Sequence, residues 1–480
     1  MRKNTSPPPD APILVAELGR LTVRKWRLGN GLEVITVPDP SATSVSYVTT
    51  YRVGSRDEDA TRHETGLAHL FEHLMFTQSR GSAAGAFDRT IESAGGSSNA
   101  ATDYDCTAYT DEIPAEVLGQ TIALEADRMV NLDLLARQVA SERDVVVEER
   151  LSSVEDSVDG KLDELMYGQA FRRHPYRWPI IGRMEDIQAF TKDKALGFYR
   201  RFYAPNRAVI SVAGRFDESA TIALIQSAYG GIAAAAEGRG GDAGAGAEAP
   251  PERAPTTLVS TSIPSPVPAD RLVSGYRAPG LGDPDRAAYE VLAEVLAGGP
   301  SSRLHRRLIV EAQLASSVLG QVPATRDPGL FAIWVQLTRG HTAEESDAIL
   351  VAEVARLLET PFAPAELDAA RNRLETELWR DLGSSRGRAE MLGHFEVVAG
   401  DFRLLVGRAA AYAQVGADDV ARVAQSYFGD RARSVVIARP SPSRSPAPSP
   451  GTPTPATLPS PSSSPSPSGT TPPASSSTST

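Results

Sequence analysis

Apolar positions along this chain fall into short alternating runs and longer helical stripes, interleaved from about residue 20 to residue 439. Trp26-Arg27-Leu28 and Leu32-Glu33-Val34 alternate on either side of Gly29-Asn30-Gly31, the pattern of a β-hairpin. Residues 45–53, rich in Val, Thr and Tyr, predict a further strand. Just after Pro114, the helical spacing of apolar residues predicts a long helix over 115–131. In the second half Asp283 is the expected N-cap of a helix, with Pro284 at its first position. Ala288, Val291, Leu292, Val295 and Leu296 form its stripe and Gly298-Gly299 its stop. Thr342 with Glu345 makes a capping box for another helix.

One unit occurs twice. Phe202-Tyr203-Ala204-Pro205-Asn206-Arg207 leads into Val209-Ile210-Ser211-Val212-Ala213, and about 224 residues later Tyr427-Phe428-Gly429-Asp430-Arg431 leads into Ser434-Val435-Val436-Ile437-Ala438. A helix end, a turn and a buried strand repeated at that distance suggest a duplication into two similar α+β domains. The expected organisation is an N-terminal extension over 1–19, a domain over 20–229, an Ala/Gly/Pro linker over 230–256 and a second domain over 257–439. A Pro/Ser/Thr-rich tail over 440–480 follows, expected to be disordered because it has so little apolar surface to bury.

Composition narrows the function classes. The 480 residues carry 49 Lys+Arg against 60 Asp+Glu, a net charge of -11, which argues against a nucleic-acid partner. No apolar stretch approaches the roughly 20 residues of a membrane span. The basic start Met1-Arg2-Lys3 meets Pro7-Pro8-Pro9 where the apolar core of an export signal would begin. The expectation as written is a cytoplasmic location, or a periplasmic one if the start codon is misassigned. The lone cysteine, Cys106, excludes an internal disulfide and reads as core filling within a Thr/Tyr-rich strand.

The segment Gly66-Leu67-Ala68-His69-Leu70-Phe71-Glu72-His73-Leu74 carries the chemistry. On a helix, His69 and His73 are one turn apart and project from one face, a spacing that suits two imidazole ligands of a tetrahedral zinc. Glu72 falls beside them, placed to take a proton from water at the metal. The apolar residues around them bury the helix, and a metal would partner imidazoles that are otherwise costly to bury. This H-x-x-E-H order is a known signature of zinc peptidases. A third ligand is expected on the helix over 141–150, capped by Ser141. There Glu142 and Glu149 share a face, Val145 and Val146 mark the core side, and spacing alone does not choose between the carboxylates.

These residues, with the flanking Gly54-Ser55-Arg56-Asp57-Glu58, Gly95-Gly96-Ser97-Ser98-Asn99-Ala100-Ala101-Thr102, Asp105-Cys106-Thr107-Ala108-Tyr109, His174-Pro175-Tyr176 and Tyr203-Ala204-Pro205-Asn206, resemble the pitrilysin/insulinase family of zinc peptidases. The nearest branch resembles the two-domain bacterial proteins of the mitochondrial-processing-peptidase type. The resemblance implies two homologous α+β domains facing a chamber and one Zn2+ per chain held by His69, His73 and Glu149. It also implies Glu72 as the general base, Glu142 as a supporting carboxylate, Glu148 as an exposed neighbour, and peptide substrates that add as a strand along 95–102, with main-chain contacts at Asn99 and Ala100.

The chain departs from the family in its second half. Catalytically complete members carry an arginine and a tyrosine seven residues apart, where this chain has Ile309 and Ser316; Arg303 and Arg306 fall outside that motif. The resemblance therefore implies a zinc endopeptidase chain working beside a homologous partner that supplies the missing pair. The alternatives are a non-catalytic scaffold or a peptide-binding subunit.

Overall fold

In the computed structural model, which describes residues 9, 11–236, 249, 250, 252, 257–359, 362–428 and 433–441, two mixed sheets form the frame. Residues 1–8, most of the 230–256 stretch, the Gly429-Asp430-Arg431 turn and the tail beyond Ser441 lie outside the described residues. The first sheet contains β1 (Leu14–Leu18), β2 (Leu21–Arg27), β3 (Glu33–Pro38), β4 (Val45–Tyr51), β5 (Ser97–Thr102), β6 (Thr107–Ile113) and β7 (Ala208–Gly214), in the order β1-β2-β3-β7-β4-β6-β5. The second contains β8 (Val259–Ser265), β9 (Arg271–Ala278), β10 (Ala315–Gln321), β11 (Gly329–Leu337) and β12 (Ser434–Pro440), in the order β10-β11-β9-β12-β8.

The duplication read from the chain is visible in this topology. β3-β7-β4-β6-β5 and β8-β12-β9-β11-β10 are the same arrangement: β7 runs parallel to β3 and antiparallel to β4, as β12 does to β8 and β9. The twice-occurring strand is thus an interior strand of each sheet. β3, β4 and β7 are buried along almost their whole length because both faces of the first sheet are covered. Val34, Tyr47 and Ile210 face one core, while Ile35, Val48 and Val209 face another.

Helices pack around this frame, among them α1 (Leu67–Leu74), α2 (Ala136–Arg150), α3 (Val158–Ala170), α4 (Arg286–Ala297) and α5 (Ser385–His394). α1 packs on the face of the first sheet that carries Tyr47 and Tyr109, and the Tyr109 hydroxyl donates 2.9 Å to the Phe71 carbonyl. The opposite face is covered by α5, from the far end of the chain. A Cβ at Gly393 would stand 2.7 Å from Thr50 Oγ1, an approach to β4 that glycine permits. Reciprocally, α3 from the first half lays Leu162 and Met166 against Val273, Leu330 and Val436 of the second sheet. Each half therefore lends a helix to the other's sheet.

Polar bonds fasten the halves further. Asp105, which accepts from the Tyr176 hydroxyl of its own half at 2.8 Å, also accepts from the Arg326 backbone N–H at 2.8 Å, and Arg56 pairs with Asp327 at 2.9 Å.

Three local expectations are corrected. Residues 14–18, assigned to an extension, form the outer strand β1, because Leu14, Ala16 and Leu18 alternate inward onto the core while Val15 faces out. α4 begins at Arg286 rather than beside Asp283, whose carboxylate instead accepts the Asp285 N–H at 2.8 Å in the preceding turn. α2 begins at Ala136, so Ser141 lies within it. Val139 and Val146, two turns apart, are both buried and extend the helix toward its start, whereas Val145 is exposed. The capping box forms as expected: the Thr342 N–H donates to Glu345 at 2.7 Å, at the start of a helix over Ala343–Glu359. No helix among the described residues is long and apolar enough to cross a membrane.

Candidate metal centre

The conformation of α1 begins at its N-terminus. Gly66 has φ +94°, and a Cβ there would lie 2.4 Å from the Ile181 carbonyl oxygen, so this entry to the helix is restricted to glycine by both torsion and space. The buried Glu58 carboxylate then accepts the Gly66 and Ala68 N–H groups, each at 2.8 Å, satisfying donors that the first turn of a helix leaves free. Glu58→Ala leaves those donors buried and unpaired. It is expected to destabilise the protein by about 1–3 kcal/mol, read as a lower denaturant midpoint with an unchanged m value.

With α1 anchored, Leu70, Phe71 and Leu74 face the core, and His69 and His73 project toward α2. His69 Nε2 lies 3.5 Å from Glu149 Oε1, and His73 Nε2 lies 3.4 Å from Glu149 Oε2. One ligand atom from each of the three residues can be chosen so that all lie within 4.8 Å of one another. Glu142, two turns earlier on α2, brings Oε2 to 3.7 Å from His73 Nδ1. Glu72 Oε2 stands 4.0 Å from His69 Nε2, with 22% of its side chain exposed. All five residues singled out on these two helices thus come together. Glu148 is exposed, as expected.

The electrostatics suit a cation. Burial lowers the His69 pKa from its ordinary value, favouring the neutral imidazole that ligates metals. The contact with Glu149 raises His73, and the same contact lowers Glu149. Two imidazole nitrogens and a carboxylate, converging from two helices at a partly open position, form a donor set that could hold one zinc ion. Glu142 faces the far ring nitrogen of His73 at 3.7 Å, and losing a carboxylate that orients a metal-ligating histidine typically costs about 10–100-fold in metal affinity. Glu142→Gln is expected to weaken zinc binding by about that factor in a chelator competition titration.

Asn99 and Ala100 lie on β5, the outer strand of the sheet, which pairs with β6 on one side only among the described residues. Ile309 sits in a π-helical turn over Arg306–Glu311, and the hydroxyl of exposed Ser316 donates 3.2 Å to the Gln336 carbonyl. Of the neighbouring arginines, Arg303 is held by Glu366 at 2.6 and 2.7 Å, and Arg306 by Glu311 at 3.2 Å. Cys106 lies in the turn before β6 rather than inside a strand, buried, with Sγ 3.6 Å from His394 Nδ1. The role of Glu58 is not legible in the sequence. Its motif is visible, but nothing local ties a residue eight positions before Gly66 to the start of α1.

Two sheets of the same topology, with an H-x-x-E-H helix on one of them facing a second carboxylate-bearing helix, have the architecture of a peptidase-family protein. The family profile "Insulinase (Peptidase family M16)" matches residues 33–183, and "Peptidase M16 inactive domain" matches residues 189–374. The chain belongs to the pitrilysin/insulinase family. It is 29% identical to the zinc protease PqqE of Helicobacter pylori over 86% of this chain and 92% of that one. An uncharacterized zinc protease of Streptomyces coelicolor is 28% identical over 88% of this chain and 91% of its own length. The crystal structure of a protease from Helicobacter pylori superposes with a TM-score of 0.81 at 28% identity, covering 87% of this chain and 99% of that one.

Proposed function

We propose that this chain is a zinc-dependent endopeptidase acting on oligopeptides or unfolded segments, with one zinc per chain held by His69, His73 and Glu149. The observation that carries the reading is the convergence of both histidine Nε2 atoms on Glu149, with the carboxylate of Glu72 beside them. Bound there, the ion would supply Lewis acidity at the scissile carbonyl. Glu72 is the general base: one of its carboxylate oxygens takes a proton from the attacking water and returns it to the leaving amine nitrogen. Glu142 holds the His73 ring in orientation. Around Asn99 and Ala100, the free edge of β5 offers the main-chain N–H and C=O groups of alternate residues to an extended peptide, which would add as a further strand.

Ile309 and Ser316 cannot supply the guanidinium and phenol that complete family members direct at the substrate. In this reading a homologous partner chain supplies them, and the zinc-bearing chain works as half of a heterodimer. The same two residues, with the inactive-domain profile over 189–374, are the observation favouring a second reading, a non-catalytic scaffold or peptide-binding subunit.

The test is cleavage of a mixed oligopeptide pool by the purified chain, alone and with a homologous chain carrying the arginine–tyrosine pair. Chelator-sensitive cleavage only in the mixture supports the heterodimer. Cleavage by the chain alone removes the need for a partner, and no cleavage in either case supports the scaffold.

A further inference from the structure

A cavity of about 450 Å³ opens beside β5 on the sheet face opposite α1. It is distinct from the candidate metal centre, and its walls come from both halves of the chain. The sheet contributes Thr50, Ala101, Ala108 and Thr110, and the second half contributes Ala324, Met391, His394 and Phe395.

Strand register decides which part of β5 looks into it. Asn99 pairs with Thr110 and Ala101 with Ala108, and directly paired residues share a face of the sheet. Asn99 and Ala101 therefore stand on the cavity side. The side chains of Ser98, Ala100 and Thr102 alternate to the other side, where Ala100, which also borders the cavity, packs in the α1 core.

The charged groups at the cavity are few: the Asp103 carboxyl, His394 and a paired arginine and glutamate. His394 Nε2 donates to the Ala324 carbonyl oxygen at 3.0 Å, and its Nδ1 lies 3.6 Å from the Cys106 Sγ. Burial pushes the Cys106 thiol well up from its ordinary value, so it presents a neutral S–H rather than a nucleophile. Burial likewise raises the Asp103 carboxyl. At the rim Arg386 and Glu390 neutralise each other at 2.8 Å, and Glu390 also accepts from Thr110 Oγ1 at 2.9 Å. A pocket of this size, walled by alanines, Met391 and Phe395, suits an uncharged, bulky apolar group.

We propose that this cavity is a specificity pocket for an apolar side chain of the peptide that adds to β5. The inference rests on the proposed strand addition. A strand added to the free edge of β5 would be sandwiched between α1 on one face and the cavity on the other. Its side chains would point alternately to each, with same-face neighbours about 6.7 Å apart. Selectivity on the cavity side therefore reaches residues of one parity only, and bulky aliphatic or aromatic residues are favoured there over acidic ones.

The experiment uses the full-length Glu72→Gln protein, zinc-loaded, and fluorescent decapeptides in which one position is varied among Phe, Leu and Asp. Phe or Leu is expected to bind at least about tenfold more tightly than Asp at cavity-side positions. Ala108→Phe, which fills the cavity from the sheet, and Ala101→Trp, which blocks its mouth, are each expected to cut that preference below about twofold while zinc stays bound. Independently of those variants, benzoylphenylalanine at a favoured position should photocrosslink to Met391 or Phe395, and moving it by one residue should shift labelling to the α1 side.

Peptides that bind without this preference, or that crosslink elsewhere, overturn the pocket while leaving strand addition standing. A preference that survives both fillings does the same. Zinc-loaded protein that binds no peptide overturns strand addition itself, and the pocket with it.

Discussion

Glu72→Gln is expected to lower peptide hydrolysis by about 10²–10⁴-fold while the zinc content stays at one ion per chain, the range that a positioned general base contributes. The substitution keeps the size and shape of the side chain and removes only its capacity to take a proton. Glu72 stands 4.0 Å from His69 Nε2 and outside the three-residue cluster that could hold the ion, so the ligand set is untouched. Its side chain is 22% exposed, which leaves the carboxylate accessible to water and substrate. The measurement pairs initial cleavage rates, in whichever assembly shows activity, with elemental analysis of the same samples. A variant that keeps its zinc and cleaves within a few-fold of the unmodified protein removes Glu72 from the proposed chemistry.

Removing a ligand should act on the metal itself. His73→Ala, or Glu149→Ala on the facing helix, leaves two donors where a stable catalytic zinc needs three, and dialysed protein is expected to retain almost none. Stability supplies a second readout. Zinc at a hundred times its dissociation constant should stabilise the unmodified protein by about 2.7 kcal/mol, and that increment should vanish in both variants. The variants differ in the absence of metal. His73→Ala removes the group that lowers Glu149, whereas Glu149→Ala removes the contact that raises His73. Unaltered zinc content in both would displace the proposed centre from these helices.

The helix carrying the chemistry was legible because its information is local. His69, Glu72 and His73 lie within one and a half turns, and apolar residues at the remaining positions dictate which side of the helix is buried. The Gly29-Asn30-Gly31 hairpin and the Thr342–Glu345 capping box were legible for the same reason: each is closed by residues a few positions apart. Errors occurred where a tertiary contact overrode a local signal. Ser141 is a good capping residue, yet docking of Val139 against the core extends α2 past it. β1 is too short to announce itself, and it becomes a strand through pairing with β2.

What the sequence determined by itself was the chemistry available: two imidazoles and a carboxylate on one helix, further carboxylates on another, and two copies of one strand-bearing unit. The tertiary structure decided which of those groups meet. Only packing of α2 beside α1 brings Glu149 onto both histidines and leaves Glu148 outside, and only the fold delivers Glu58 to the start of α1. The exchange of α3 and α5 between the sheets, and the cavity that α5 forms behind β5, join residues nearly three hundred positions apart, as Cys106 and His394 are. Periodicity shows which face of an element is buried but not which distant surface buries it, because that depends on shape complementarity summed over the whole chain.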